Sequence, residues 1–117
     1  MALTPMDLVA AAKQHIREVS LEEGKTLLHS AQVLDVREPA EFVAGKLPNA
    51  INIPRGVLEF QIGNHPALQN ADILVYCLSG GRSALAVEAL HKLGYTRAVS
   101  LAGGYKAWTE SGLPTQA

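Results

Sequence analysis

The sequence contains a single cysteine, Cys77, among its 117 residues. One cysteine excludes a disulfide within the chain and any metal site built from several cysteines. Such a residue is either a small buried hydrophobe or a reactive thiol. Composition alone leaves both interpretations open.

The sequence also lacks an excess of charge of either sign and any long apolar run. Its 10 Lys and Arg residues against 11 Asp and Glu give a formal net charge of -1. Because a nucleic-acid-binding domain has a strong basic excess, we expect no nucleic-acid partner. No run approaches the roughly 18 apolar residues of a membrane span, and Asp7 and Lys13 interrupt the only candidate export signal. We therefore expect no membrane association and a cytoplasmic location, where a lone thiol stays reduced.

The remaining composition is typical of one globular domain whose core needs neither disulfides nor metals. Hydrophobic residues make up 48% and charged residues 18% of the chain. The histidine spacings match no metal-binding motif, so we expect no metal and no cofactor. The histidines are His15, His29, His65 and His91.

Short apolar runs alternate with segments of helical periodicity, which predicts an α/β fold with a parallel sheet. Strands are predicted over 32–36, 50–53, 72–76 and 98–101. Helices are predicted over 4–17, after Ser20, after Pro39, within 56–62, over 83–93 and after Gly104. The last residues, 115–117, are expected to fray.

Residues 1–17 are predicted to form an N-terminal helical extension, and residues 18–117 the main domain. Thr4, Pro5 and Asp7 are typical of a helix start, and apolar residues follow at helical spacing. The apolar face of this helix must be buried, either on the domain itself or on a second copy in a homodimer. The sequence leaves both alternatives open.

Cys77 directly follows the continuous apolar run 72–76, which predicts a strand buried on both faces. Gly80 and Gly81 then turn the chain into a helix that is expected to begin near Ser83, with Ser83 as its N-cap. Ligands bind at the carboxyl ends of strands in open α/β sheets, and backbone N–H groups at a glycine-rich turn bind anions. With the charge of Arg82 nearby, this setting favours the nucleophilic thiolate over an inert buried cysteine.

Four segments, in order, resemble the signatures of the single-domain rhodanese, or thiosulfate sulfurtransferase-like, family. They are VLDVREPAEF over 33–42, GKLPNAINIP over 45–54, CLSGGRS over 77–83 and LAGGYKAW over 101–108. The family often has histidine where Lys46 stands and glycine where Asn49 stands, and both positions lie outside the Cys77 loop. The resemblance covers residues 18–113 and implies a central parallel β-sheet flanked by helices on both faces.

The resemblance also implies a function, in which the loop cysteine carries sulfur as a persulfide. Cys77 would take the outer sulfur of thiosulfate, or of a related small anionic donor, and pass it to cyanide or a thiol acceptor in a two-step covalent mechanism. Backbone N–H groups of the loop would stabilise the charged sulfur. The implied substrate-binding loop comprises Leu78, Ser79, Gly80, Gly81, Arg82 and Ser83.

Asp35 and Arg37 match a charged pair in the first signature. We interpret them as an ion pair that braces a strand and a helix, with a supporting role beside Cys77 or Arg82 as the alternative. Glu41 is expected to cap its short helix or to form a salt bridge there. Trp108, at core spacing, is expected to pack in the interior.

Two other functions remain as alternatives to the sulfurtransferase. One is a persulfide carrier or docking module that serves a protein partner, although degenerate modules of this family usually lack the cysteine. The other is a phosphatase or arsenate reductase, whose loop has five residues between Cys and Arg. Four residues separate Cys77 from Arg82. Since a longer loop makes a wider cradle for a tetrahedral oxyanion, the shorter loop favours sulfur.

Overall fold

A sheet of five parallel strands runs through the centre of the computed structural model, which describes residues 2–117. The strand order is β1-β5-β4-β2-β3. The strands are β1 (Glu18–Val19), β2 (Gln32–Asp35), β3 (Ile51–Asn52), β4 (Ile73–Tyr76) and β5 (Ala98–Leu101). The predicted parallel sheet is confirmed, and its register aligns the carboxyl ends of β2, β3 and β4 through Asp35, Asn52 and Tyr76.

Six helices flank the strands in the described residues, with 3-10 turns at Arg55–Val57, Ile62–Asn64 and Pro66–Leu68. The helices are α1 (Pro5–Lys13), α2 (Leu21–Leu27), α3 (Pro39–Ala44), α4 (Leu58–Gln61), α5 (Gly81–Lys92) and α6 (Gly104–Glu110). Capping boxes begin α1 at Thr4 and α2 at Ser20, and both helix starts agree with the sequence prediction. No helix in the described part of the chain is long and apolar enough to cross a membrane.

Helices cover both faces of the sheet, and each face has its own hydrophobic core. Alternate residues of β4 point in opposite directions, so Ile73 and Val75 pack with α4 and α5, whereas Leu74 and Tyr76 pack on the α2 and α6 side. The fully buried Trp108 of α6 lies in this second core, as expected. All four residues of β4 are buried, which confirms the interpretation of its continuous apolar run.

Gly24 allows α2 to approach the second core closely. A Cβ atom at this position would lie 2.7 Å from the Leu101 Cδ1 atom and 3.5 Å from the Trp108 ring. The glycine weakens the helix by about 1 kcal/mol relative to alanine. Close packing of the helix against Leu101 and Trp108 explains why glycine occupies this helical position.

The N-terminal helix α1 packs on α5 of its own chain. Val9 and Ala12 of α1 are buried together with Ala84 of α5. A Cβ atom at Gly81 would lie 3.6 Å from a Val9 methyl group, so α1 lies beside the first turn of α5. Of the two ways to bury its apolar face, the structure shows the intramolecular one; the homodimer stays a prediction, as does the domain division at residue 17.

Several expectations from the sequence were wrong. Strand β1 was not predicted, α1 ends at Lys13 rather than at residue 17, and α5 begins at Gly81 rather than near Ser83. The C-terminal residues do not fray, because Gln116 and Lys46 exchange two backbone hydrogen bonds of 2.8 and 2.9 Å in an isolated antiparallel bridge. The errors at β1 and at the C-terminus concern segments whose structure depends on partners distant in the sequence.

Candidate active site

Cys77 lies directly beyond the carboxyl end of β4, at the edge of the sheet where ligands bind in open α/β folds. Its side chain belongs to the core between the sheet and helices α4 and α5, and only 1% of the residue is exposed. Cys77 is therefore buried, yet it stands where the sheet ends and an irregular loop begins. Burial does not decide between the two interpretations, and the surroundings of the sulfur must do so.

The Cys77 loop turns into α5 through Gly80, which has a φ of 107° and is the N-cap residue of the helix. This left-handed conformation suits glycine. The Gly80 N–H donates a hydrogen bond of 3.1 Å to the Cys77 sulfur. The expectation that Ser83 caps the helix was wrong, because the helix begins at Gly81 and Ser83 lies in its first turn.

Five further backbone N–H groups of this loop and first helical turn find no hydrogen-bond acceptor among residues 2–117. They belong to Leu78, Ser79, Gly81, Arg82 and Ser83. Unpaired N–H groups at the start of a helix carry partial positive charge, so they favour an anion next to the sulfur. The predicted loop residues thus surround Cys77 mainly with backbone donors.

The N-terminus of α6 holds the carbonyl groups of the same loop. Tyr105 N–H donates to the Cys77 carbonyl at 2.8 Å, and Lys106 N–H donates to the Leu78 carbonyl at 2.9 Å. The two segments approach each other at Gly104, where a Cβ atom would lie 2.6 Å from the Cys77 and Leu78 backbone atoms. Gly104, the first residue of α6, therefore permits the contact that fixes the loop.

Arg82 is not free to bind an anion, because both of its terminal nitrogens donate hydrogen bonds to Glu41 of α3. The two bonds measure 2.8 and 3.1 Å. The hydrogen bond from Arg82 lowers the pKa of Glu41 to about 2, and the same bond raises the pKa of Arg82. Glu41 also accepts the Glu38 N–H at 3.0 Å, so it both caps α3 and forms a salt bridge, as expected.

Asp35 and Arg37 form a buried ion pair beside the loop rather than within it. Arg37 donates to both carboxylate oxygens, with a shortest distance of 2.7 Å, and also to the Gly45 carbonyl. Burial is the largest single influence and lowers the pKa of Arg37, but the hydrogen bond and charge interaction with Asp35, together with those of Tyr76, outweigh it, and the pKa is raised. The expected ion pair is present, and the structure records no direct contact of either side chain with Cys77.

Tyr76 completes this ion pair. Its hydroxyl donates to Asp35 at 2.7 Å and accepts the Leu47 N–H at 3.1 Å. Burial, followed by the hydrogen bond with Asp35, raises the pKa of Tyr76 far above its ordinary value. The Arg37 guanidinium also lies over the rings of Tyr76 and Tyr105, at 5.4 and 4.2 Å from their centroids.

Ser83 connects the sulfur to β5. Its Oγ atom lies 3.5 Å from the Cys77 Sγ atom and 2.8 Å from the Ser100 Oγ atom. Both serines are fully buried. The site therefore contains a short row of three buried polar atoms that starts at the thiol.

Comparison with protein-family models matches residues 20–111 to the rhodanese-like domain. The match includes Cys77, its loop and all the residues of the ion pairs described above. The chain belongs to the rhodanese-like family.

Relatives of this chain include named sulfurtransferases. It is 42% identical over 103 residues to thiosulfate sulfurtransferase 16 of Arabidopsis thaliana, covering 78% of this chain and 84% of the relative. It is 36% identical over 106 residues to the human thiosulfate:glutathione sulfurtransferase, covering 79% and 92%. These relatives support a transferase of the rhodanese sulfurtransferase type.

A solved structure from Rhodopseudomonas palustris also matches this rhodanese almost completely. It has a TM-score of 0.89 and 25% sequence identity, covering 99% of this chain and 96% of the other. That protein is described as one of unknown function and as a tyrosine phosphatase candidate. The similarity extends over the N-terminal helix α1 as well as the rhodanese domain.

Two further cations, Lys46 and Arg55, have partners of their own. The Lys46 ammonium lies over the Phe42 ring at 4.6 Å and donates to Ala117, and Arg55 pairs with Glu59. Within residues 2–117, no three His, Cys, Asp or Glu side chains are grouped to hold a metal ion.

Three contributions to the site were not predicted from the sequence: those of Tyr76, of Ser100 and of the two N–H donors of α6. Tyr76 ends an apolar strand, and a buried tyrosine hydroxyl needs a partner, so that residue carried a usable signal. Ser100 is a polar residue within the otherwise apolar strand β5, which is a weaker signal of the same kind. The α6 donors are backbone groups, and no side chain marks them.

Proposed function

We propose that the protein is a sulfurtransferase that carries sulfane sulfur on Cys77 as a persulfide. The donor is thiosulfate or a related small anion, and the acceptor is cyanide or a thiol. The observation that carries this proposal is the Gly80 N–H on the Cys77 sulfur, with five further backbone N–H groups free around it. Such donors stabilise a charged sulfur atom without any metal or side-chain cation.

In the first step, the Cys77 thiolate attacks the outer sulfur of thiosulfate. A new sulfur–sulfur bond forms to Cys77, the bond between the two thiosulfate sulfurs breaks, and its electron pair leaves with sulfite. No oxidant or reductant is required. The N–H groups of the loop stabilise the negative charge that reaches the terminal sulfur of the persulfide.

In the second step, a nucleophile attacks the terminal sulfur of the Cys77 persulfide. Cyanide leaves as thiocyanate, or a thiolate acceptor leaves as its own persulfide, and the electron pair of the broken bond returns to the Cys77 sulfur. Since the sequence contains no second cysteine, no thiol of the same chain can displace the sulfur. The persulfide therefore waits for an external acceptor.

Two features favour sulfur over phosphate as the group that reaches Cys77. The thiol is almost fully buried, which favours a donor whose reacting atom is terminal and small, as in thiosulfate. The Arg82 guanidinium is bound to Glu41 by two hydrogen bonds, so its N–H groups are not free to grip a phosphate in the bidentate manner. The short Cys-to-Arg spacing supports the same ranking over a phosphatase or arsenate reductase.

Intact mass after incubation with thiosulfate tests the proposal. We expect the protein to gain the mass of one sulfur atom and to lose it again on addition of cyanide. Cys77→Ser should gain no sulfur and form no thiocyanate, because the hydroxyl cannot form the persulfide. Ser111→Ala, which alters an exposed serine at the end of α6, should behave as the unmodified protein.

Thiocyanate formation by Cys77→Ser at the rate of the unmodified protein would contradict the proposal. So would hydrolysis of an aryl phosphate without any sulfur transfer, since this would establish the phosphatase alternative. Far-UV circular dichroism of Cys77→Ser separates loss of the nucleophile from loss of the fold.

A persulfide carrier that serves one protein partner is the second candidate function. The exposed apolar side chain of Leu78, next to Cys77, favours contact with a protein acceptor over a purely small-molecule one. Fast transfer to a protein thiol combined with slow transfer to cyanide would support the carrier. For either function we propose the cytoplasm as the location, because a lone thiol stays reduced there.

A further inference from the structure

Three buried polar atoms form a row from Cys77 into the sheet. The Cys77 Sγ atom follows β4, the Ser83 Oγ atom lies 3.5 Å away in the first turn of α5, and the Ser100 Oγ atom of β5 lies 2.8 Å beyond it. Cys77 is 1% exposed and both serines are 0% exposed. Each hydroxyl therefore has to find its hydrogen-bond partners within the protein.

The donor and acceptor in each hydrogen bond of this row follow from the number of hydroxyl protons and the acceptors available to them. Ser100 Oγ has one hydrogen-bond partner among residues 2–117, the Ser83 Oγ atom. A buried hydroxyl whose proton has no acceptor is costly, so Ser100 donates to Ser83. The Ser83 proton is then free to point at the sulfur. In the reverse direction, with the thiol donating to Ser83 and Ser83 to Ser100, the Ser100 proton would have no acceptor.

We propose that Ser100 is a positioning residue that directs the Ser83 hydroxyl proton onto the Cys77 sulfur. The arrangement satisfies every group when the sulfur accepts a hydrogen bond, as a thiolate or an anionic persulfide does. Ser100 thus favours the anionic sulfur without touching it. The inference deepens the proposed sulfur transfer, and its relevance to turnover rests on that function; its effect on the thiol does not.

Charged and ionisable groups lie on the elements that surround the sulfur. They are Arg82 of α5 with its partner Glu41 of α3, Asp35 of β2 with Arg37 and the Tyr76 hydroxyl, Glu59 of α4 with its partner Arg55, Asp7 of α1, and Lys106 of α6. Substitution of Ser100 leaves the charges of all these groups in place. A change in the titration of the thiol is therefore attributable to the two hydroxyls.

The experiment measures the rate of alkylation by iodoacetamide against pH in the full chain and in Ser100→Ala, Ser83→Ala and the double variant. We expect the midpoint of the Ser83→Ala profile to rise, with thiolate at neutral pH reduced about five-fold by loss of the direct hydrogen bond. Ser100→Ala should reduce it about two- to three-fold, since Ser83 keeps its hydroxyl but loses its orientation. The double variant should match Ser83→Ala.

Equality of the double variant and Ser83→Ala is the decisive result, because Ser100 acts only through Ser83. An unchanged Ser100→Ala profile, or a Ser100→Ala effect that persists in the Ser83→Ala background, would overturn the proposal. Val99→Ala, the neighbouring truncation in β5, should leave the profile unchanged, and urea denaturation checks that each variant is folded.

Alkylation requires no sulfur transfer, so this test is independent of the proposed function. Absence of thiocyanate formation by the unmodified protein would contradict the sulfurtransferase proposal but would leave the Ser100 result unaffected. Conversely, a normal sulfur gain with no Ser100 effect on alkylation would defeat only the positioning role.

Discussion

At the scale of single residues, the buried Asp35 carboxylate shows how local sequence and distant partners combine. Its ion pair with Arg37 spans two positions in the sequence and was predictable from the charged pair alone. The hydrogen bond from the Tyr76 hydroxyl comes from another strand and depends on the register of β2 with β4. The ion pair was therefore predictable from the sequence, whereas the hydrogen bond from Tyr76 to Asp35 was not.

Removal of the Asp35 carboxylate should be strongly destabilising. Asp35→Ala would leave the buried Arg37 charge unpaired, which costs about 3–5 kcal/mol in the free energy of unfolding. Urea denaturation measures this effect. The double variant Asp35→Leu/Arg37→Met, which removes both charges, should recover much of the loss.

The exposed pair between Asp72 and Arg97 is the matched control. It has the same chemistry, but more than half of each side chain is exposed. Asp72→Ala should cost no more than about 1 kcal/mol, because solvent screens the pair. Equal losses from Asp35→Ala and Asp72→Ala would contradict the role we assign to burial.

The backbone conformation at Asn49 explains why asparagine can stand where the family often has another residue. Its φ is 62°, the left-handed region that glycine occupies without strain and that asparagine tolerates better than most residues. The family often has glycine at this position. Asparagine is therefore compatible with this turn, and the difference from the family pattern at this position leaves the fold unchanged.

At the scale of elements, the contact between the Cys77 loop and α6 depends on the absence of a side chain at Gly104. Gly104→Ala would introduce a Cβ atom 2.6 Å from backbone atoms of Cys77 and Leu78, in a backbone with a φ of 60°. We expect the loop to shift, the protein to lose stability and sulfur transfer to fall at least ten-fold, as expected when reacting groups move by about 1 Å. Thiocyanate formation and urea denaturation report the two effects.

Gly112→Ala is the control that separates the effect of backbone strain from the effect of a steric clash. Gly112 has a similar left-handed φ of 73°, but a Cβ atom there would have no neighbour within 4 Å. Its substitution should cost about 1–2 kcal/mol from conformational strain and leave sulfur transfer unchanged. If Gly112→Ala impaired transfer as much as Gly104→Ala, the loop contact would not be the cause.

The salt bridge between Arg82 and Glu41 joins helices α5 and α3, and its stability contribution should depend on pH. The pKa of Glu41 falls to about 2 from its ordinary 4.5, so the contribution is complete above about pH 4.5 and is lost as pH falls toward 2. About a third of each side chain is exposed, so solvent screening limits the contribution to about 1 kcal/mol at neutral pH.

Glu41→Gln should therefore be less stable than the unmodified protein at pH 7, with a difference that shrinks between pH 4.5 and 2. Urea midpoints over this range measure the difference. Glu110→Gln, an exposed carboxylate with no ion pair among the described residues, should show no such trend. A difference that stayed constant with pH would mean that the charge of Glu41 is not responsible.

At the scale of the whole molecule, the sequence predicted what local patterns determine. The apolar run of β4 and the helix starts at Thr4 and Ser20 are properties of a few consecutive residues, and each prediction was confirmed. Strand β1 has only two residues, too few for a periodic pattern, and it is defined by its pairing with β5. It could not be predicted without the topology.

In the candidate site, too, the features formed by consecutive residues were predictable, and the contacts between distant residues were not. The position of Cys77 after a buried strand and the glycine turn were predictable, because they are consecutive in the sequence. The partner of Arg82 was not, because Glu41 lies 41 positions away, and neither was the Ser83–Ser100 contact, which spans 17 positions. The predicted N-cap at Ser83 was wrong because the left-handed Gly80 starts the helix earlier.

The hydrogen bonds from the start of α6 to the Cys77 loop also concern protein synthesis. The ribosome releases β4, the cysteine and α5 well before Tyr105 and Lys106, whose N–H groups hold the loop carbonyls. A nascent chain halted before α6 therefore has a thiol without a fixed loop around it. We therefore expect the proposed capacity to carry sulfur to be acquired only when α6 has emerged, so that shorter nascent chains are not loaded.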